Sequence, residues 1–64
     1  MSPKKTLQVR EQELRSLLAT LAGREELQEL ASRYCASSGR LKPAGTSAVT
    51  YILVYEREQG LISS

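Results

Sequence analysis

The chain has 64 residues, of which 41% are hydrophobic and 25% charged, and its formal net charge is +2. A chain this short makes one domain with a small core, because it buries only about 60% of the surface its unfolded form exposes. It holds a single cysteine and neither histidine nor aspartate. That composition excludes an internal disulfide, a histidine-based triad, paired aspartates and an ordinary zinc site.

No enzyme activity, cofactor, metal or small-molecule substrate is therefore expected. Domains of this size usually need a disulfide, a metal or a partner subunit, and the first two are missing, so a homodimer is expected. The opening Met-Ser-Pro-Lys-Lys-Thr runs into charged residues rather than an apolar stretch, which argues against a secretory leader. The longest apolar run, Tyr51–Tyr55, is far too short for a membrane span. A cytoplasmic protein with no membrane association is the expectation.

In chain order, residues 1–5 read as a flexible basic tail carrying Lys4 and Lys5, and residues 6–64 as one domain. A first helix is predicted from Thr6 to Ala22. Leu14, Leu17, Leu18 and Leu21 fall at i, i+3, i+4 and i+7 on one face, with Glu11 and Arg15 spaced for an i, i+4 pair. Gly23 is the predicted stop. A second helix follows, with Glu25 and Glu26 in its first turn, where the helix dipole favours acids. Leu27, Leu30, Ala31, Tyr34 and Cys35 mark its apolar face. Cys35 thereby reads as a buried structural thiol. The pair of helices is expected to form an αα-hairpin with leucine faces opposed.

Residues 39–45 form a predicted loop with Arg40 and Lys42 and no acid, broken by Pro43 and bracketed by Gly39 and Gly45. The last segment begins with Thr46 or Ser47 as N-cap and stops at Gly60. Val49–Tyr55 is rich in β-branched and aromatic residues, so a strand is the alternative. Helix is favoured, since a lone strand has no partner and the segment exceeds ten residues. As a helix it is apolar nearly all round for two turns, which leaves Tyr51, Val54 and Tyr55 for a second surface. The fold class is thus all-α: a small three-helix domain, an αα-hairpin plus a third helix, helix-turn-helix-like and dimeric.

Ser47, Val49, Thr50, Ile52, Leu53, Gly60, Leu61 and Ile62 stand in the register of Ser-x-Val-Thr-x-Leu-Val followed by Gly-Leu-Ile. Residues 46–62 therefore resemble the recognition helix of winged-helix repressors of the multiple-antibiotic-resistance type. The resemblance implies binding to double-stranded DNA, with Ser47, Thr50 and Tyr51 facing the major groove and Arg40 and Lys42 on phosphate. Lys4, Lys5 and Arg10 would add affinity. Three positions depart from the family pattern: Tyr51 and Tyr55 stand where members carry arginine, and Glu56 where a core leucine is expected. A shorter likeness, Lys5–Arg10, resembles the N-terminal strand of ribbon-helix-helix repressors, which would make Thr6, Gln8 and Arg10 reading residues; otherwise Leu7 simply begins the first helix. Two functions follow as expectations: a small DNA-binding protein acting as an accessory transcriptional regulator, or a protein-interaction and oligomerisation module using Tyr51, Val54 and Tyr55.

Overall fold

The computed structural model of the chain describes residues 4–36 and 44–63. Those residues form three α-helices, α1 (Leu7–Leu17), α2 (Leu21–Cys35) and α3 (Thr46–Glu58), and each packs against the other two. The all-helical, three-helix expectation is met, and Val49–Tyr55 is helix. The Arg40 and Lys42 loop lies outside the described residues.

The Lys5–Arg10 strand is not formed. Thr6 is instead the N-cap of α1, its hydroxyl accepting the Val9 N–H at 3.2 Å, and the helix begins at Leu7. Helix α1 is shorter than predicted. Three successive i→i+3 bonds, from the N–H groups of Leu18, Ala19 and Thr20, tighten its last turn and end it. Thr20 then opens α2 by accepting the Gly23 N–H at 3.0 Å. The break falls at 18–20 rather than at Gly23 because a threonine cap competes with helix continuation at that point. Leu21 consequently leaves the leucine stripe and is 70% exposed. Glu25 and Glu26 move from the first turn of α2 to its second.

Gly23 has a different role from a stop. A Cβ at this position would lie 2.1 Å from the Leu17 carbonyl oxygen, so the missing side chain lets the first turn of α2 touch the end of α1. Arg24 closes the same corner, donating from Nε to the Leu18 carbonyl at 2.9 Å.

Gly45, not Thr46 or Ser47, is the N-cap of α3, with φ of 59° and no side-chain cap bond. Ser47 instead gives its N–H to the Ala44 carbonyl. The other end follows the predicted glycine stop. Gly60 has φ of 74°, its N–H bonds to Arg57 at 3.1 Å, and the Leu61 N–H returns to Glu56 at 2.9 Å. That reciprocal pair is the Schellman arrangement. It turns the chain so that Ile62 enters the core at 6% exposure. Ser63 then lies beside the start of α1, donating to Lys5 at 2.9 Å and accepting from Leu7 at 2.7 Å.

The core is Leu14, Leu27, Ala31, Ala48, Val49, Ile52, Leu53 and Ile62, with Leu7, Leu17, Leu18, Leu30, Tyr34 and Tyr51 packed around it. Cys35 is buried and forms no disulfide. Among the described residues, Leu14, Leu27 and Ile52 are the large side chains fully out of water. Truncating any of them to alanine should cost about 2–5 kcal/mol, a large share of what so small a domain has.

Candidate functional site

Helix α3 has two distinct faces. Val49, Ile52, Leu53 and Glu56 repeat at i, i+3, i+4 and i+7 and are buried. Thr46, Ser47, Thr50 and Val54 lie on the opposite side and are exposed.

On the inner face, Glu56 occupies a core-facing position at 4% exposure. It is made tolerable by three donors. Arg10 binds its two oxygens in a fork, Nε at 2.8 Å and Nη2 at 3.0 Å, and the Tyr34 hydroxyl donates to it at 2.7 Å. One residue from each helix thus meets at a single carboxylate. Burial pushes the Glu56 carboxyl up, but the hydrogen bonds from Arg10 and Tyr34 outweigh it and hold the group below its usual 4.5. Burial, and then the carboxylate it serves, push the Tyr34 phenol up to about 12. Arg10 is held firmly charged, chiefly by its hydrogen bond to Glu56. Glu56 is therefore an ionised staple with its acceptors engaged, and no proton-transfer chemistry near neutrality follows from it. Arg10 also reaches Glu13 at 3.2 Å, and Lys5 binds the other oxygen of Glu13 at 2.7 Å.

The tyrosines extend this cluster. Tyr34 and Tyr55 stack with ring centroids 4.1 Å apart and planes 14° from parallel. Tyr51 lies 6.5 Å from Tyr55, and its hydroxyl donates to the Tyr34 carbonyl. Both Tyr51 and Tyr55 are half-buried within the domain, whereas Val54 is 44% exposed.

On the outer face, Thr50 and Val54 stand between two hollows. One, of about 250 Å³, is lined by Leu7, Glu11, Leu53 and Arg57 as well as the two ridge residues. The other, of about 470 Å³, is lined by Thr46, Ser47 and Tyr51 with the same pair. The first brings Leu7 and Glu11 of α1 against the last turns of α3.

The structure thus separates the residues that sequence reading grouped. Ser47 and Thr50 are exposed together on the outer face. Tyr51 is engaged with Tyr34, while Arg10 is bound to Glu56 on the inner face of α3 and Lys5 to Glu13 of α1. Lys4 is exposed. The Arg10–Glu56–Tyr34 cluster was missed, although a signal existed: Glu56 is in phase with Val49, Ile52 and Leu53, so a helix must carry it inward. Among the described residues, no group of three or more cysteine, aspartate or glutamate side chains could hold a metal ion, and no helix is long and apolar enough to cross a membrane. Comparison with protein-family models, curated proteins and solved structures returned no match.

Proposed function

We propose that this chain is a protein-interaction module whose contact surface is the outer face of α3. The observation that carries this reading is the character of that face. Val54 is 44% exposed between two hollows, and its exposed neighbours Thr46, Ser47 and Thr50 bear no charge. A partly apolar helix face whose charged groups, Arg57 and Glu11, lie at its rim suits a protein partner, since interface cores are depleted of charge. Phosphate, by contrast, calls for cations, and α1 commits Arg10 to Glu56 and Glu13.

A second reading is a small DNA-binding protein of helix-turn-helix character serving as an accessory transcriptional regulator. One observation favours it: Ser47 and Thr50 are exposed on α3, shortly after Arg40 and Lys42 in the sequence. Site-specific photo-crosslinking in living cells separates the two. A benzophenone side chain at position 54 should give a protein adduct, and one at position 28, on the exposed side of α2, should give none. The interaction reading is refuted if position 54 yields no protein adduct. Duplex DNA binding that collapses between about 50 and about 200 mM salt would then establish the second reading.

A further inference from the structure

We infer that the partner of the α3 face is a second copy of this chain, in a two-fold symmetric dimer centred on Thr50 and Val54; this rests on the interaction reading above. Thr50 and Val54 are four residues apart, so they form one i, i+4 ridge along the helix surface. A hollow lies on each side of that ridge, one bounded by Leu7, Leu53 and Arg57 and the other by Ser47 and Tyr51. A ridge flanked by grooves is complementary to itself. Turning one copy about a two-fold axis lays each ridge in the other's groove, with the two α3 axes crossing at about −50°.

The charges at the rim point to the same occupant. The hollow beside Leu7 carries one acid, Glu11, and one cation, Arg57. Among the described residues Arg57 has no ion pair, whereas Glu11 is paired to Arg15 at 2.9 Å on its own helix. The proposed arrangement would set Arg57 of each copy against Glu11 of the other, adding a second cation to a carboxylate that already holds Arg15. An unrelated partner would have to supply both an acid and a cation at matching places, while a second copy supplies them by symmetry. The small core adds a motive. With three large side chains fully buried among the described residues and no disulfide, the domain gains from covering the exposed Val54 and the half-buried Leu7 with its own kind.

The test is sedimentation equilibrium of the full chain from about 1 µM to about 1 mM. Four variants accompany it: Val54→Glu, Glu11→Arg, Arg57→Glu and the Glu11→Arg/Arg57→Glu double exchange. Circular dichroism confirms that each stays helical, as surface positions should. The wild type is expected to dimerise within that range. Val54→Glu should raise the dissociation constant by ~30-fold or more. Each single charge reversal should raise it about 5-fold, and the double exchange should return it to within about 2-fold of wild type, because the pair is rebuilt with its signs swapped.

A monomer at every concentration overturns the inference. So does a dimer indifferent to Val54→Glu, or one that the double exchange does not restore. The crosslink at position 54 keeps the two levels apart. An adduct of twice the chain mass supports the dimer, an adduct to a different protein overturns it but preserves the interaction reading, and no adduct overturns both.

Discussion

Replacing Arg10 by methionine should do more damage than any other single surface-reachable change. Methionine keeps much of the stem's volume and removes the fork that holds Glu56. The Glu56 side chain is 5% exposed and that of Arg10 23%, so the carboxylate is stranded away from water with Tyr34 as its remaining donor. Removing one member of a buried pair costs about 3–5 kcal/mol, and the partial exposure of Arg10 places this case near the lower limit. A 64-residue domain at about 0.05–0.15 kcal/mol per residue has about 3–10 kcal/mol in all. Arg10→Met should therefore leave the domain near its unfolding midpoint or, at best, lower Tm by about 12–24 °C.

The pH dependence gives a sharper check. In the wild type Glu56 titrates below 4.5, so its contribution is complete above that value and is lost as pH falls through the folded-state value. In Arg10→Met the burial effect is no longer outweighed, and the carboxyl is pushed above 4.5. Acidification should then relieve the variant, so the difference between the two proteins narrows as pH falls. Arg10→Met/Glu56→Leu removes both charges and should recover wild-type stability or exceed it, since apolar replacement of a buried pair is often neutral or stabilising. Thermal melts by circular dichroism across the acid range read all three. A Tm for Arg10→Met within about 2 °C of wild type, or parallel pH profiles for the two proteins, would refute the reasoning.

The corner between α1 and α2 makes a contrary prediction about glycine. Glycine to alanine inside a helix ordinarily gains about 1 kcal/mol, but Gly23→Ala should lose about 1–3 kcal/mol, because its Cβ would meet Leu17 backbone at 2.1 Å; a denaturant midpoint that rises would contradict the close approach. At alkaline pH the Tyr34 phenol, raised to about 12 from 10.0, contributes stability that is complete below 10.0 and lost as pH rises through about 12. Ultraviolet titration of the folded protein should show the Tyr34 phenol ionising late, and Tyr34→Phe should abolish that late step.

Periodicity located the first two helices because each has a stripe that a 3.6-residue repeat explains, whereas for Val49–Tyr55, apolar nearly all round, segment length and the lack of a partner strand outweighed β-propensity. Boundaries were harder. Leu14, Leu17, Leu18 and Leu21 stay in phase through the break at 18–20, so the pattern hides it, and the Thr20 cap is visible only if a threonine's competing hydrogen bond is weighed against the stripe. Gly60 was legible as a stop because glycine accepts the left-handed conformation that closes a helix, and of the apolar pair after it Ile62 enters the core. Gly23 was not, because whether a glycine ends a helix or lets two helices touch depends on where the chain goes next. The outer face was legible in Val54 and not in its tyrosines. Tyr51 and Tyr55 are turned toward Tyr34, and nothing local in the sequence reveals which aromatic residues will stack on one another.

The ion pairs bear on function as well as stability. Lys5, Arg10, Arg15 and Arg33 each pair with a glutamate, and Arg24 donates to a carbonyl. A paired cation brings its acid to any phosphate it approaches, so repulsion cancels much of the gain. Among the described residues, Lys4 and Arg57 are the cations with neither an acid nor a carbonyl partner, and Arg40 and Lys42 are the remaining two of the chain. Four phosphate contacts, were all made at once, would give a slope of log affinity against log salt of about −3.6. Arg57 belongs to the face proposed to close on itself, so a dimer would contribute it less readily. DNA binding by this chain should therefore be no steeper in salt than about −4 per subunit, measured by fluorescence anisotropy on mixed-sequence duplex. A steeper slope would mean that partnered cations leave their partners to reach the backbone, and the exposed Arg15 and Arg33 are freer to do so than Arg10, whose fork on Glu56 is mostly buried.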